Sequence, residues 1–181
     1  MSVSRQLPVI NWVDGEIDRR DDAIVSELPV ALTYNKRTHV VMMLTPTALE
    51  DFACGFSLTE GIIGQHSDIL DLAVIPREDG LELAMTVSEE CSSRLAGQRR
   101  NLVGRTGCGL CGAESLEQAI RDPVVVPNRV SVTSGAIQNA VAALDSHQPL
   151  QLLTGAVHGA AWCDIDGEIL TLREDVGRHN A

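Results

Sequence analysis

The chain has 181 residues, 44% of them apolar and only 3% aromatic, with a formal net charge of −11. That length suits one ordinary domain or two small interlocked ones, with a core built mainly of Val, Leu, Ile and Ala. The acidic balance argues against general nucleic-acid or anionic-membrane binding, no stretch reaches the length of a membrane-spanning helix, and the opening Met1-Ser2-Val3-Ser4-Arg5-Gln6 lacks the apolar centre of a signal peptide, so the chain is expected to be cytoplasmic.

Leu7 to Val13 alternates loosely and meets Asp14-Gly15, which predicts a hairpin. Leu28 to Tyr34 and Thr38 to Leu44 flank Asn35-Lys36-Arg37 and predict a second. Thr45-Pro46 reads as a helix start, with Thr45 as N-cap and proline at the first position. Leu49, Phe52, Ala53 and Phe56 recur at helical spacing, and Gly61 or Gly64 should end that helix. Asp68 to Pro76 and Leu81 to Val87 around Glu78-Asp79-Gly80 predict a third hairpin.

From Cys91 to Ala113 there is no acidic residue, but there are Arg94, Arg99, Arg100 and Arg105. At the end of this basic window stands Gly107-Cys108-Gly109-Leu110-Cys111-Gly112. Ser115-Leu116-Glu117-Gln118 is a capping-box pattern, predicting a short helix to about Arg121. Pro123 and Pro127 bracket an apolar connector. Ser134 to Leu144 reads as a further helix, Val157 to Cys163 as a strand, and Asp166-Gly167 as the turn into Glu168 to Leu172. The final stretch, Arg173-Glu174-Asp175-Val176-Gly177-Arg178-His179-Asn180, is dense in polar groups and suits a site or an interface better than a solvated tail.

Five cysteines are an odd number, and a disulfide framework is not expected in a cytosolic chain of this size. Cys54 and Cys163 sit in apolar surroundings and read as small core residues. Cys91 is open between an inert residue and a second thiol. The glycines around Cys108 and Cys111 leave a bendable backbone that a large reactant can approach, and nearby arginine favours the reactive thiolate. Zinc would need two more ligands, and neither a second Cys-x-x-Cys nor a His pair at finger spacing is present. A thioredoxin-like pair would open a helix, whereas Cys111 lies four residues before the cap at Ser115. A persulfide carrier and an unreactive turn are the other readings; the motif alone does not separate a carrier from a redox pair.

His158, in an apolar context, reads as a hydrogen-bonded core residue or a functional one. Arg178, His179 and Asn180 read as anion ligands or as helix-capping groups. Arg99, Arg100 and Arg105 read as a solvated basic face, though glycine near Arg105 also suits a phosphate-binding loop.

Three segments in this order, Arg105-Thr106-Gly107-Cys108-Gly109-Leu110-Cys111-Gly112, Thr154-Gly155-Ala156-Val157-His158-Gly159-Ala160 and Glu174-Asp175-Val176-Gly177-Arg178-His179-Asn180-Ala181, closely resemble the formate dehydrogenase accessory sulfurtransferase family, FdhD. Thr45-Pro46 to Phe52, Gly55-Phe56 and Glu60-Gly61-Ile62-Ile63 also resemble it. Ala156 departs from a common second glycine, and the family pattern continues beyond Ala181.

The resemblance implies a mixed α/β (α+β) protein with a cytidine deaminase-like fold. Residues 1–104 would form an N-terminal β-hairpin and α/β region, and residues 105–181 the Cys-x-x-Cys loop and a C-terminally incomplete deaminase-like region. It implies a sulfurtransferase that takes persulfide sulfur from a cysteine desulfurase on Cys108, with Cys111 as second thiol. The acceptor would be the molybdenum bis(guanine dinucleotide) cofactor, a substrate rather than a resident group, destined for formate dehydrogenase. Arg105, His158, Arg178, His179 and Asn180 would contact it, guanine nucleotides would act as mimics, and no metal would be held by the protein. Family resemblance further implies a homodimer, with no nucleic-acid or membrane partner. The reading from another class is a non-catalytic chaperone of the cofactor or apo-enzyme with a redox-sensing Cys-x-x-Cys.

Overall fold

Turn residues with left-handed backbone fold the chain back on itself at both early hairpins. Asp14 and Gly15 have φ of 51° and 88°, and Asn35 and Lys36 have φ of 46° and 65°. This is the geometry whose twist matches paired antiparallel strands. The computed structural model describes residues 2–98, 125–126 and 130–181. Over these residues the protein is mixed α+β, as the sequence predicts, with four antiparallel hairpins and few helices.

The chain divides into two compact units, one of Met1–Glu27, Thr45–Thr47 and Val126–Ala181, the other of Leu28–Leu44 and Ala48–Val125. These units are cut differently from the division at 104/105, because the N-terminal hairpin groups with the end of the chain. The expected 115–121 helix lies outside the described residues.

In the second unit, strands β3 (Leu28–Tyr34), β4 (Arg37–Leu44), β5 (Ile69–Arg77) and β6 (Gly80–Val87) form one sheet in the order β4-β3-β6-β5. β3 and β6 run parallel at its centre, with Val30 opposite Leu81 and Leu32 opposite Leu83. Alternation on these two strands points Val30, Leu32, Tyr34, Leu81, Leu83, Met85 and Val87 into a common core. Asn35 lengthens the pairing: its side chain accepts from Val87 N–H at 2.9 Å and donates to the Val87 carbonyl at 3.1 Å.

Helix α1 (Leu49–Thr59) adds Leu49 and Ala53 to this core, with Phe52 and Phe56 packed against it. Gly61 (φ 68°) ends the helix. Its N–H donates to Leu58 O at 3.0 Å while Ile62 N–H reaches Ser57 O at 2.9 Å, the two bonds of a Schellman stop. The helix does not begin where Thr45-Pro46 predicted. Its N-cap is Ala48, in left-handed backbone and without a side-chain cap; Thr45 is used elsewhere, as described below.

A helix not foreseen from sequence, α2 (Glu89–Gln98), follows β6. Ser88 starts it, its Oγ accepting from Cys91 N–H at 3.4 Å.

In the first unit, β1 (Ser4–Val13) and β2 (Glu16–Val25) form a two-stranded ribbon. Helix α3 (Ser134–His147) starts at Thr133, whose Oγ1 accepts from Ala136 N–H at 3.1 Å. The short α4 (Pro149–Thr154), also unforeseen, has Pro149 at its first position and Gly155 (φ 63°) beyond its last. Strands β7 (His158–Cys163) and β8 (Ile169–Asp175) form a second ribbon. Their connecting turn presses on α3, since a Cβ at Gly167 would collide with the Ala136 backbone. No helix among the described residues is long and apolar enough to cross a membrane.

Two stability predictions follow from the central sheet. A Cβ at Gly80 would run into the carbonyl of Pro29, so Gly80→Ala should cost about 1–3 kcal/mol, read as a lower urea midpoint at unchanged slope; an unchanged midpoint refutes this. Burial pushes the Tyr34 phenol up, the Ser57 bond opposing it only in part. The unfolded chain then ionises first, so this stability is whole below about pH 10 and is lost as pH rises further. Tyr34→Phe should flatten that alkaline loss in urea unfolding curves, and an identical profile would exclude Tyr34 as the cause.

Candidate functional site

The polar end of the chain forms a turn directly after β8. Gly177 O accepts from Asn180 N–H at 2.8 Å and from Ala181 N–H at 3.3 Å. Successive residues on a strand face opposite ways, so Glu174 and Asp175 serve two different neighbourhoods.

Asp175 is buried, 5% exposed. Its Oδ2 accepts from Thr45 N–H at 2.8 Å. Its Oδ1 accepts from Gly177 N–H at 2.7 Å and from the Asn180 side-chain amide at 3.2 Å. Thr45 is 1% exposed, and its Oγ1 accepts from Val176 N–H at 3.1 Å. This is why Thr45 is not a helix cap: its hydroxyl and amide are bound across 130 residues of sequence.

Glu174 caps α4, accepting from Leu150 N–H at 3.0 Å and Gln151 N–H at 2.8 Å. A carboxylate suits this end of a helix because the unpaired N–H groups carry partial positive charge. Gln151 in turn accepts from Val157 N–H at 3.0 Å, fixing the backbone just before His158. Gln148 packs so closely on Gly159 that a Cβ there would collide with its amide.

The two systems converge on one end of the β7–β8 ribbon. His158 pairs with Asp175 in register, and Gly159 with Glu174. His158, Arg178 and His179 are exposed, and Asn180 is half-buried with its amide on Asp175. The structure thus brings four of the five expected cofactor ligands to one strand end and the turn beyond it. His158 is not the core residue that its apolar context allowed. Cys108, Cys111 and Arg105 lie outside the described residues.

The other cysteines are resolved by their surroundings. Cys91 is fully buried in the core, where its Sγ accepts from Arg94 Nη2 at 3.2 Å. It is therefore the inert alternative, not a second accessible thiol. Cys54 is half-buried against the same core, and burial followed by the Asp51 charge pushes its thiol up. Cys163 is half-buried on β7. Arg94 is also 3.8 Å from Glu90 on the same helix, so this arginine of the basic window has local partners. Among the described residues no three His, Cys, Asp or Glu side chains stand together as a metal-binding set.

Sequence reasoning did not assign Thr45, Glu174 and Asp175 their roles. For Glu174, the turn-forming Gln148-Pro149 ahead of Leu150 hinted at a helix start needing an acidic partner. For Thr45 no local signal exists, because its partner is remote in sequence.

Comparison with known proteins places these features in a family. The family model described as FdhD/NarQ matches residues 25–181. A sulfur carrier protein FdhD from Cupriavidus necator is 49% identical over 173 residues, covering 96% of this chain and 60% of the relative. Proteins of the same name from Bordetella petrii and Xanthomonas euvesicatoria are 42% and 46% identical, covering 90% and 88% of this chain and 58% and 57% of their own lengths. The chain thus spans a little under two thirds of the curated relatives it matches. A crystal structure of a proposed formate dehydrogenase accessory protein from Desulfotalea psychrophila shares the fold, with a TM-score of 0.69 at 21% identity, over 99% of this chain and 66% of that one.

Removing the Glu174 carboxylate should leave two α4 N–H groups without their cap. Glu174→Ala is expected to cost about 1–2 kcal/mol, the scale of a lost N-cap, with faster hydrogen exchange at Leu150 and Gln151 than at Ala136. Unchanged exchange at both amides would contradict the capping role.

Proposed function

The chain belongs to the FdhD/NarQ family, and on that premise we propose that it is a sulfurtransferase, carrying sulfane sulfur as a persulfide on Cys108. The observation that carries this reading is the 49% identity, over nearly the whole chain, to a relative named a sulfur carrier protein. The glycine-framed pair Cys108 and Cys111, with Arg105 close in sequence, supplies the chemistry such a carrier needs.

The donor is a cysteine desulfurase bearing a persulfide. The Cys108 thiolate attacks its outer sulfur; the donor's S–S bond breaks, a new one forms on Cys108, and the donor leaves as thiolate. Delivery as sulfide requires two electrons. Attack of the Cys111 thiolate on the inner sulfur of Cys108 provides them: hydrosulfide leaves and a Cys108–Cys111 disulfide forms. Cys111 is then the resolving thiol.

The acceptor is the molybdenum bis(guanine dinucleotide) cofactor, a substrate that receives a terminal sulfur before insertion into formate dehydrogenase in the cytoplasm, with the carrier acting as a homodimer. Its diphosphates call for cationic and hydrogen-bonding groups. Arg178 provides a permanent cation in an exposed position. His158 and His179 stand exposed on the same ribbon end and turn, and Arg105 would complete the set from the cysteine segment.

Incubation with a desulfurase and cysteine should add one sulfur atom to the intact chain. Cys108→Ala should abolish this gain in mass, while Cys111→Ala should still load and fail to release sulfide. Full loading of the Cys108→Ala protein would overturn the assignment.

A further inference from the structure

Arg178 and His179 stand on a turn of only a few residues, and a turn that short does not hold its own geometry. What fixes it is buried behind it. Asp175 takes the Gly177 N–H and the Asn180 amide on one oxygen and the Thr45 N–H on the other. Thr45 returns the contact by accepting from Val176 N–H. Thus Val176 and Gly177, the two residues immediately before Arg178, both have their N–H groups tied, one to Thr45 and one to Asp175.

The Gly177 position also lies tight against the turn's own hydrogen bonds. A Cβ there would collide with the Asn180 amide. The turn is closed on itself and anchored to a segment remote in sequence, with both anchoring side chains out of water.

We infer that Thr45 and Asp175 are positioning residues of the guanine-nucleotide site, setting the turn that presents Arg178 and His179 to the phosphates. The inference rests on the reading of those two residues as phosphate ligands. Thr45 touches no nucleotide itself; it acts through the turn. Its hydroxyl oxygen is the part required, because the backbone N–H that meets Asp175 is present whatever side chain stands at 45.

Thr45→Val and Thr45→Ser separate the parts. Valine keeps the shape and removes the acceptor, leaving the part-buried Val176 N–H without its partner; serine keeps the acceptor and loses only a methyl group. The probe is GDP, titrated calorimetrically against the intact 181-residue chain. Thr45→Val should weaken GDP binding about tenfold or more, the scale of a misplaced binding group, with Thr45→Ser close to wild type. Hydrogen exchange at Val176 and Gly177 should quicken in the valine variant alone.

A general loss of stability would weaken binding whatever else is changed. A positioning role instead predicts that Thr45→Val adds nothing in an Arg178→Ala, His179→Ala background, since the groups it positions are gone. Additive losses there would overturn the inference, as would GDP binding by Thr45→Val equal to wild type. Should Thr45→Val not fold, Thr45→Ala is measured in the same cycle. If the double Ala variant itself binds GDP as wild type does, the reading of Arg178 and His179 as phosphate ligands fails. If that variant loses binding and Thr45→Val does not, only the positioning role fails.

Discussion

A carboxylate taken out of water must be met by donors, or its burial costs more than a small domain can spare. Asp175 satisfies this with three N–H donors, two from the residues that follow it and one from Thr45. Each donor imposes a constraint. The chain must bend directly after β8, because only a tight turn returns Gly177 N–H and the Asn180 amide to the same oxygen. Residues 45–47 must lie alongside, because no nearer backbone supplies the remaining donor. The grouping of Thr45–Thr47 with the end of the chain follows from this exchange of hydrogen bonds.

The other unit is held by different means. Its centre is an aliphatic face contributed by β3 and β6, which are far apart in sequence and parallel in space. Turns cannot specify such a pairing, since each turn joins only antiparallel neighbours. Register comes from the side chains instead: a slip of one residue would turn the buried Leu32 and Leu83 to the opposite face. One polar pair inside this core is answered within it: the Tyr34 hydroxyl and Ser57 Oγ share a hydrogen bond at 2.7 Å, and Ser57 Oγ also bonds to Ala53 O. The contrast matters for function. An apolar core tolerates modest rearrangement, whereas a hydrogen-bonded turn has one arrangement or none.

Local chemistry was readable where the structure obeys local rules. Asp14-Gly15 and Asn35 mark hairpins because Gly, Asp and Asn tolerate left-handed backbone best, and Gly61 stops α1 for the same reason. The period of Leu49, Phe52, Ala53 and Phe56 placed that helix correctly. Its start was misplaced because Thr45 has the composition of a cap but spends its hydroxyl on Val176. Helix α2 has a weak signature because only two of its apolar positions, Cys91 and Leu95, are spaced for one helical face and reach the core, within a stretch dominated by charge. The helix α4 was too short to show a period, and Pro149 with Gly155 was its only signature.

The terminal motif was legible as dense in function, but not in how that density divides. Of its polar side chains, Glu174 and Asp175 face inward to frame groups, one to a helix end and one to the turn. The exposed remainder includes Arg178 and His179, with His158 across the ribbon. The division has an electrostatic logic. A chain of net charge −11 repels an anionic ligand at long range, yet beyond about 8 Å that repulsion is screened at physiological salt. Inside that distance only nearby groups count. The buried Asp175 and the half-buried Glu174 spend acceptor capacity on N–H donors of the frame, and the exposed side chains at the turn are those of Arg178 and His179. An acidic chain can in this way keep a cationic side chain such as Arg178 outward at one turn without changing its overall charge, and the phosphate contacts proposed for that turn depend on the buried Asp175 keeping it in place.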